Sequence, residues 1–464
     1  MGPAVFAREG RLKIDESAET NVRQPQGSLA DERAETILAS EPRNLFSLAI
    51  LNVIQRASWV FKTESVIIPR FLDVIAGSGA MRGWLPILNR AGQSLPPLFL
   101  ADKLRQTPLK RKPLVITATA MGVSMLSLAA LWLALGESTR PWLPYAFLGI
   151  YVSFFVANGF NQLIQGTLSG KLIRAHRRGR LLAIAGLVGA AVSSTLAWFL
   201  MQKWLQDGLT FPAGGYVMIF GFAGCGFLIA GLMSFALKEP PDDPSASPVR
   251  NPKHALKDAW QVFRSDRSFR RAAVVAMLFI SVQFLFPHFQ AFSRHRWGSH
   301  DESFHLMIWV IAQNLSVGGL SWMSGTIADR YGNRLAIRIQ VFLCSLTPIL
   351  TLALTHEDLF DDGRRWFWIA FVFLGLVPVT MKTFINYTLE LTTPENHPRY
   401  VSTMSVCFAV PFVLSPAVGW LIDQIGFEPI FAAIAGSIFI GFLLTFRMSE
   451  PRGLSACDVV EVEL

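Results

Sequence analysis

Charge is the first thing this sequence has little of. Only 16% of its 464 residues are Asp, Glu, Lys or Arg, against about 25% in an ordinary soluble chain. The deficit is concentrated in the stretches 114–135, 141–170, 181–202, 211–237, 303–328 and 400–422, which carry no such residue at all. A helix crosses a bilayer with about 20 predominantly apolar residues. Six runs of that kind exclude a soluble enzyme, a nucleic-acid-binding domain and a single-anchor protein. Cysteine is scarce as well. Cys225, Cys344, Cys407 and Cys457 lie far apart with no CxxC pair, so neither a disulfide framework nor a zinc site is expected. No secretory signal is visible, because residues 1–44 are polar and charged and the first apolar run starts near Leu45. Phe6 stands where a myristoylated Met-Gly opening would carry Ser or Thr. Gly166 to Leu172 approaches a phosphate-loop spacing but is one residue short, with Leu172 in place of the hydroxyl. With no nucleophile–base constellation, metal cluster or cofactor motif, the sequence predicts no metal, no cofactor and no enzyme.

What is present is a series of apolar runs bounded by charges. They predict an all-α membrane protein with twelve spans, at about 45–69, 83–101, 114–136, 142–169, 181–202, 212–237, 272–293, 303–328, 335–355, 366–390, 400–422 and 428–446. An even count puts both termini on one side. Thirty Lys and Arg then fall in that side's loops and tails, against eight in the opposite loops. Basic residues in short loops mark the cytoplasmic side. The net charge of +9 therefore reads as orientation in a lipid bilayer, with cytoplasmic termini in a cell (inner) membrane, rather than as affinity for nucleic acid. The expected organisation is a disordered tail 1–44, a six-helix bundle 45–237, a linker 238–271, a second six-helix bundle 272–447 and a tail 448–464. The linker opens as Lys238-Glu-Pro-Pro-Asp-Asp-Pro-Ser-Ala-Ser-Pro, too polar to bury a core. Its second half spaces Leu256, Ala259, Trp260 and Phe263 as an amphipathic helix would.

The two halves look related. Leu100-Ala101-Asp102-Lys103-Leu104-Arg105 lies 227 residues before Ile327-Ala328-Asp329-Arg330-Tyr331-Gly332, and internal repeats of this kind characterise secondary transporters. The segment Gly325-Thr-Ile-Ala-Asp329-Arg330-Tyr-Gly332-Asn-Arg334 resembles the signature loop of the major facilitator superfamily, Gly-x-x-x-Asp-Arg-x-Gly-x-Arg. In the first half Asp102 and Lys103 persist, but Leu98 and Arg105 replace the two glycines. The resemblance implies two six-helix bundles and a gating loop made of Asp102, Gly325, Asp329, Arg330, Gly332 and Arg334. Gly325 would let helix backbones approach closely. Asp329 would sit against a helix end of the opposite half near Arg180, holding the cytoplasmic gate shut.

Polar residues inside a span are costly and usually face protein or water. They recur at helical spacing in the first span (Asn52, Gln55, Arg56, Trp59, Lys62, Thr63), the second (Asn89, Arg90, Gln93), the fourth (Asn158, Asn161, Gln162, Gln165) and the tenth (Lys382, Asn386, Glu390), with Gln283, His288 and Gln290 in the seventh. The resemblance implies a central cavity lined by the first, fourth, seventh and tenth spans, the same four, with the second added by periodicity. The expected cavity residues are Asn52, Arg56, Asn89, Arg90, Gln93, Asn158, Asn161, Gln162, Gln165, Gln283, Lys382 and Asn386. For the amides, interhelical hydrogen bonding worth about 1 kcal/mol each weighs equally. Three deep cations with few carboxylates suggest an electropositive cavity, while Glu64 and His288 are the candidates for proton coupling. The expectation is a monomeric secondary transporter of a small, anionic solute, driven by an ion gradient through alternating access. A non-transporting receptor on the same fold is the alternative.

Overall fold

The computed structural model describes residues 26–136, 139–207, 212–242, 252–298, 302–356, 359–360, 362–393 and 396–451. Among them there is no strand. Uncharged runs of Leu, Ile, Phe and Ala have no side-chain partners for their backbone, so in lipid each run must satisfy its peptide groups within itself, as a helix.

In the first half α1 is Gln26–Val60, α2 Ile67–Ile75, α3 Gly79–Arg105, α4 Arg111–Leu135, α5 Leu143–Leu172, α6 Ala175–Leu196, α7 Gln202–Asp207 and α8 Pro212–Met233. A connecting helix, α9 (Pro252–Ser265), leads to the second half. There α10 is Arg267–Ile280, α11 Phe289–Trp297, α12 Glu302–Tyr331, α13 Asn333–Thr355, α14 Gly363–Trp366, α15 Trp368–Leu374, α16 Leu376–Glu390, α17 His397–Ala409, α18 Ser415–Ile425 and α19 Phe427–Thr445. Ten helical stretches among the described residues are long and apolar enough to cross a membrane. The first two expected spans are not in that set; their helices, α1 and α3, are the ones diluted by Asn52, Gln55 and Arg56 and by Asn89, Arg90 and Gln93.

Three features depart from the expectations. The helix expected to begin at 45 begins at Gln26, inside the stretch expected to be a disordered tail. Its polar residues are used in docking: buried Glu41 accepts from the Arg174 backbone N–H at 3.0 Å and from Arg174 Nε at 2.8 Å, and Asn44 exchanges hydrogen bonds with the backbone of Lys238. The hydrogen bond from Arg174 holds the Glu41 carboxyl below its ordinary value of 4.5, aided by the Arg174 and Arg177 charges. The linker is likewise fastened at its start, where Glu239 accepts from the backbone N–H of Lys110 and Arg111 at the head of α4 and from Lys171 Nζ. The amphipathic helix ends at Ser265, and Asp266 caps the next helix by accepting from Phe269 N–H at 2.9 Å.

The third departure concerns the first span, which is broken. The chain leaves helix after Val60 and resumes it at Ile67. The seventh span breaks in the corresponding place, tightening to a 3-10 segment over Ser281–His288, with Pro287 inside it, before α11. Both resumed helices, α2 and α11, are nine residues long, so the repeat legible in the loops extends to the helix interruptions. The eleventh span also tightens to 3-10 at Val410–Leu414.

Candidate functional site

Between the halves lies a cavity of about 760 Å³, within the range of small-molecule sites. The first-half wall comes from the unwound segment between α1 and α2 and from α3 and α5: Glu64, Asn89, Arg90, Gln93, Tyr151 and Gln162. The second-half wall includes Gln283, Phe286, Met381, Lys382, Asn386, Phe408 and Phe412. Of the expected cavity residues, the structure brings Asn89, Arg90, Gln93, Gln162, Gln283, Lys382 and Asn386 to one site. Glu64, one of the two proton-coupling candidates, is on the wall with them.

The others are spent elsewhere. Arg56 is not on the wall; its Nε and Nη2 bond Asn314 Oδ1 at 3.2 and 3.1 Å, tying α1 to α12 across the two halves. Asn52 donates to the Leu48 carbonyl of its own helix at 2.7 Å. Asn161 accepts from Gln55 and Gln165 and donates to Thr117, which joins α1, α4 and α5 in an interhelical knot. Asn158 is buried, its Nδ2 without a hydrogen-bond acceptor. For Asn161 and Gln165 the hydrogen bonds run between helices, whereas Asn52 bonds its own helix. His288 is fully buried, with Nδ1 facing Arg82 Nε at 3.4 Å, outside the cavity lining.

Two cations on this scaffold have opposite surroundings. Lys62 has no exposure; its ammonium lies 2.6 Å from Glu64 Oε1 and 3.3 Å from the centre of the Trp59 ring, with Phe154 and Phe155 closing the cage. Glu64 Oε2 accepts from Asn89 at 2.8 Å. Arg90 hydrogen-bonds only neutral groups, Gln283 Oε1 at 3.3 Å and Met381 Sδ at 3.6 Å from Nη2, with the Phe412 ring at 5.1 Å; the Glu64 charge lies within electrostatic range, and the buried Nε has no acceptor. The aromatic residues and Tyr151 were not legible as site residues, since a ring in an apolar run reads as core.

The two halves are clamped at the end carrying residues 61–85. Arg70 pairs with Glu302 (Nε–Oε1 2.8 Å). Asp73, fully buried, pairs with Arg82 of its own half and with Arg294 of the other at 2.8 Å, and accepts from Gln290. Asp423 on α18 accepts from the backbone N–H of Gly79 and Ala80 at 2.7 and 2.8 Å, capping α3 from across the interface. The two helices touch backbone to backbone: a Cβ on Gly419 would stand 2.2 Å from the Gly79 carbonyl oxygen. Toward the other end the wall residues Gln162, Lys382, Asn386 and Ser405 are exposed, so the cavity opens there.

The gating loop is partly legible. Gly332 takes φ +89 at the head of α13, a left-handed conformation that favours glycine. A Cβ there would also approach Glu450 at 3.2 Å. Among the described residues nothing lies within 4 Å of a Cβ added to Gly325, so the close helix approach expected there is not seen in this conformation. Asp329 and Arg330 are exposed, and Arg334 donates to the Phe446 carbonyl at 3.3 Å. The side chains of Asp102 and Arg180, and Cys457, lie outside the described residues.

Two helical halves around a polar-lined cavity within apolar spans define a multi-span membrane transporter. The sequence matches the family model of the Major Facilitator Superfamily over residues 99–381, and the chain belongs to that family. In fold it is similar to a point mutant of the nucleoside transporter NupG (TM-score 0.69, 14% identity, covering 88% of this chain and 100% of that one). It is also similar to a POT family transporter in complex with 5-aminolevulinic acid (TM-score 0.64, 13% identity, 88% and 96% covered). A bacterial homolog of the human lysosomal transporter Spinster, in an inward-facing and occupied conformation, superposes with a TM-score of 0.59 at 11% identity, 87% and 96% covered. No curated protein matches the chain in sequence.

Proposed function

We propose that this protein is a secondary transporter that moves a small anionic solute by alternating access, with twelve spans, cytoplasmic termini and the present cavity open inward. The observation that carries the anionic reading is Arg90, a guanidinium on the cavity wall whose hydrogen-bond partners are neutral, with Lys382 exposed to the same space. The single wall carboxylate named above, Glu64, is already neutralised by Lys62. In a low-dielectric site, uncompensated positive charge attracts anions strongly.

The clamp through Arg70, Asp73 and Asp423 is the outer gate. Rocking would break it and bring Gly325 and Asp329 against the first half. Glu64 is the better proton-coupling candidate, because it lies where substrate passes, whereas His288 lies within the clamp. In proteoliposomes with an imposed pH gradient, an anionic substrate should be taken up against its own gradient. Saturable binding without flux would favour the receptor reading instead.

A further inference from the structure

The two walls of the cavity are chemically unlike. The first-half wall is mostly polar and carries Arg90, whereas the second half sets the apolar group Phe286, Met381, Ile385, Phe408 and Phe412 beside Gln283, Asn386 and Ser405, with Lys382 toward the open end. An inorganic anion would leave most of 760 Å³ and the whole apolar face unused. A neutral sugar would leave the Arg90 guanidinium without a counter-charge. Arg90 narrows the choice further. Its Nε has no acceptor, and the adjoining Nη2 makes only long contacts to an amide oxygen and a thioether. A guanidinium can present two roughly parallel N–H groups to the two oxygens of one carboxylate, and Arg90 lines the cavity.

We propose that the substrate is an amphipathic organic monocarboxylate, its carboxylate held by the guanidinium of Arg90 and its aromatic or comparably bulky apolar body against Phe286, Phe408 and Phe412. This rests on the anionic reading above. A ligand so placed touches α3 of one half and the seventh and eleventh spans of the other, so its binding joins the two halves that must rock.

The test uses the purified full chain in detergent and titration calorimetry with indoleacetate, indoleacetamide, tryptamine, acetate and inorganic phosphate. Indoleacetate should bind at least about tenfold more tightly than each of the other four, a difference one charged bidentate contact or one buried ring can supply. Arg90→Lys, which keeps the charge but loses the fork, should weaken indoleacetate by about tenfold. Phe412→Ala should weaken indoleacetate and leave acetate unchanged. If acetate or phosphate binds as well as indoleacetate, the amphipathic proposal falls while the anionic reading stands. If indoleacetamide or tryptamine binds best, both fall. Failure of indoleacetate to bind at about 10 mM, well above the Kd of even a weak site, overturns the proposal outright. The ligand comparison on the unmodified protein needs no variant, so a poorly folded Arg90→Lys does not blunt the test.

Discussion

Lys62 and Arg90 illustrate how surroundings rather than residue type decide what a buried cation does. The Lys62 charge is fully enclosed and answered on every side by Glu64 and three aromatic rings. Removing one partner of a buried ion pair costs about 3–5 kcal/mol, because a bare charge is left behind. The two single variants are not equivalent. Glu64→Gln strips the counterion from an enclosed ammonium and leaves only the rings, worth about 2 kcal/mol when desolvated. Lys62→Met leaves Glu64 beside the cavity, still bonded to Asn89. Glu64→Gln should therefore lower thermal stability more, by about 3 kcal/mol, with most of the loss recovered in the Lys62→Met, Glu64→Gln double variant. Melting curves of the four proteins check this; additive losses would mean that the pair is not coupled.

At the scale of elements, the α3–α18 crossing joins the two halves at the clamped end, the outer gate proposed above. Gly79, Gly83 and Gly419 sit where a Cβ would lie 2.2 to 2.6 Å from a backbone carbonyl of the facing helix, and backbone, unlike a flexible side chain, cannot swing aside. Gly419→Ala should fold and insert normally, since the crossing joins two separately packed bundles, yet it should hold the outer end apart. A cysteine placed at Leu85, on the cavity wall, should then react faster with an impermeant thiol reagent added from outside; an unchanged rate would mean that the crossing is not the gate. The early part of α1 invites a pH test. The Glu41 carboxyl is held below its ordinary value by Arg174. A depressed carboxyl contributes stability above its ordinary value near 4.5 and loses it as pH falls through the lower, docked value. Amide exchange over residues 36–44 should stay slow down to about pH 4.5 and rise below it. In Glu41→Gln exchange should be fast at neutral pH as well; slow exchange there would mean that Arg174 does not hold this segment.

For the whole molecule, the charged contacts described between the halves close one end, and the exposed wall residues open the other. The topology proposed above, with the basic excess on the cytoplasmic side, is open to a direct test. On intact cells an impermeant thiol reagent should label a cysteine introduced at Asp361 and leave the native Cys457 unmodified. The reverse pattern would invert the topology and turn the present cavity outward.

The sequence alone determined the class, the apolar spans, the internal repeat and the polar stripes, because a bilayer imposes its constraint on each segment separately: a run either is apolar enough to cross or is not. Whether a polar residue faces substrate or a neighbouring helix is not a local property. Arg56 and Arg90 look alike in sequence, yet Asn314, 258 residues away, takes Arg56 out of the cavity and nothing charged takes Arg90. Glu41, Asp73, Glu302 and Asp423 read as ordinary charges outside the apolar runs. Only the approach of the two halves, and of the helix ends within each, makes them caps and clamps, since a hydrogen bond needs both partners within about 3 Å and tertiary packing alone supplies the second.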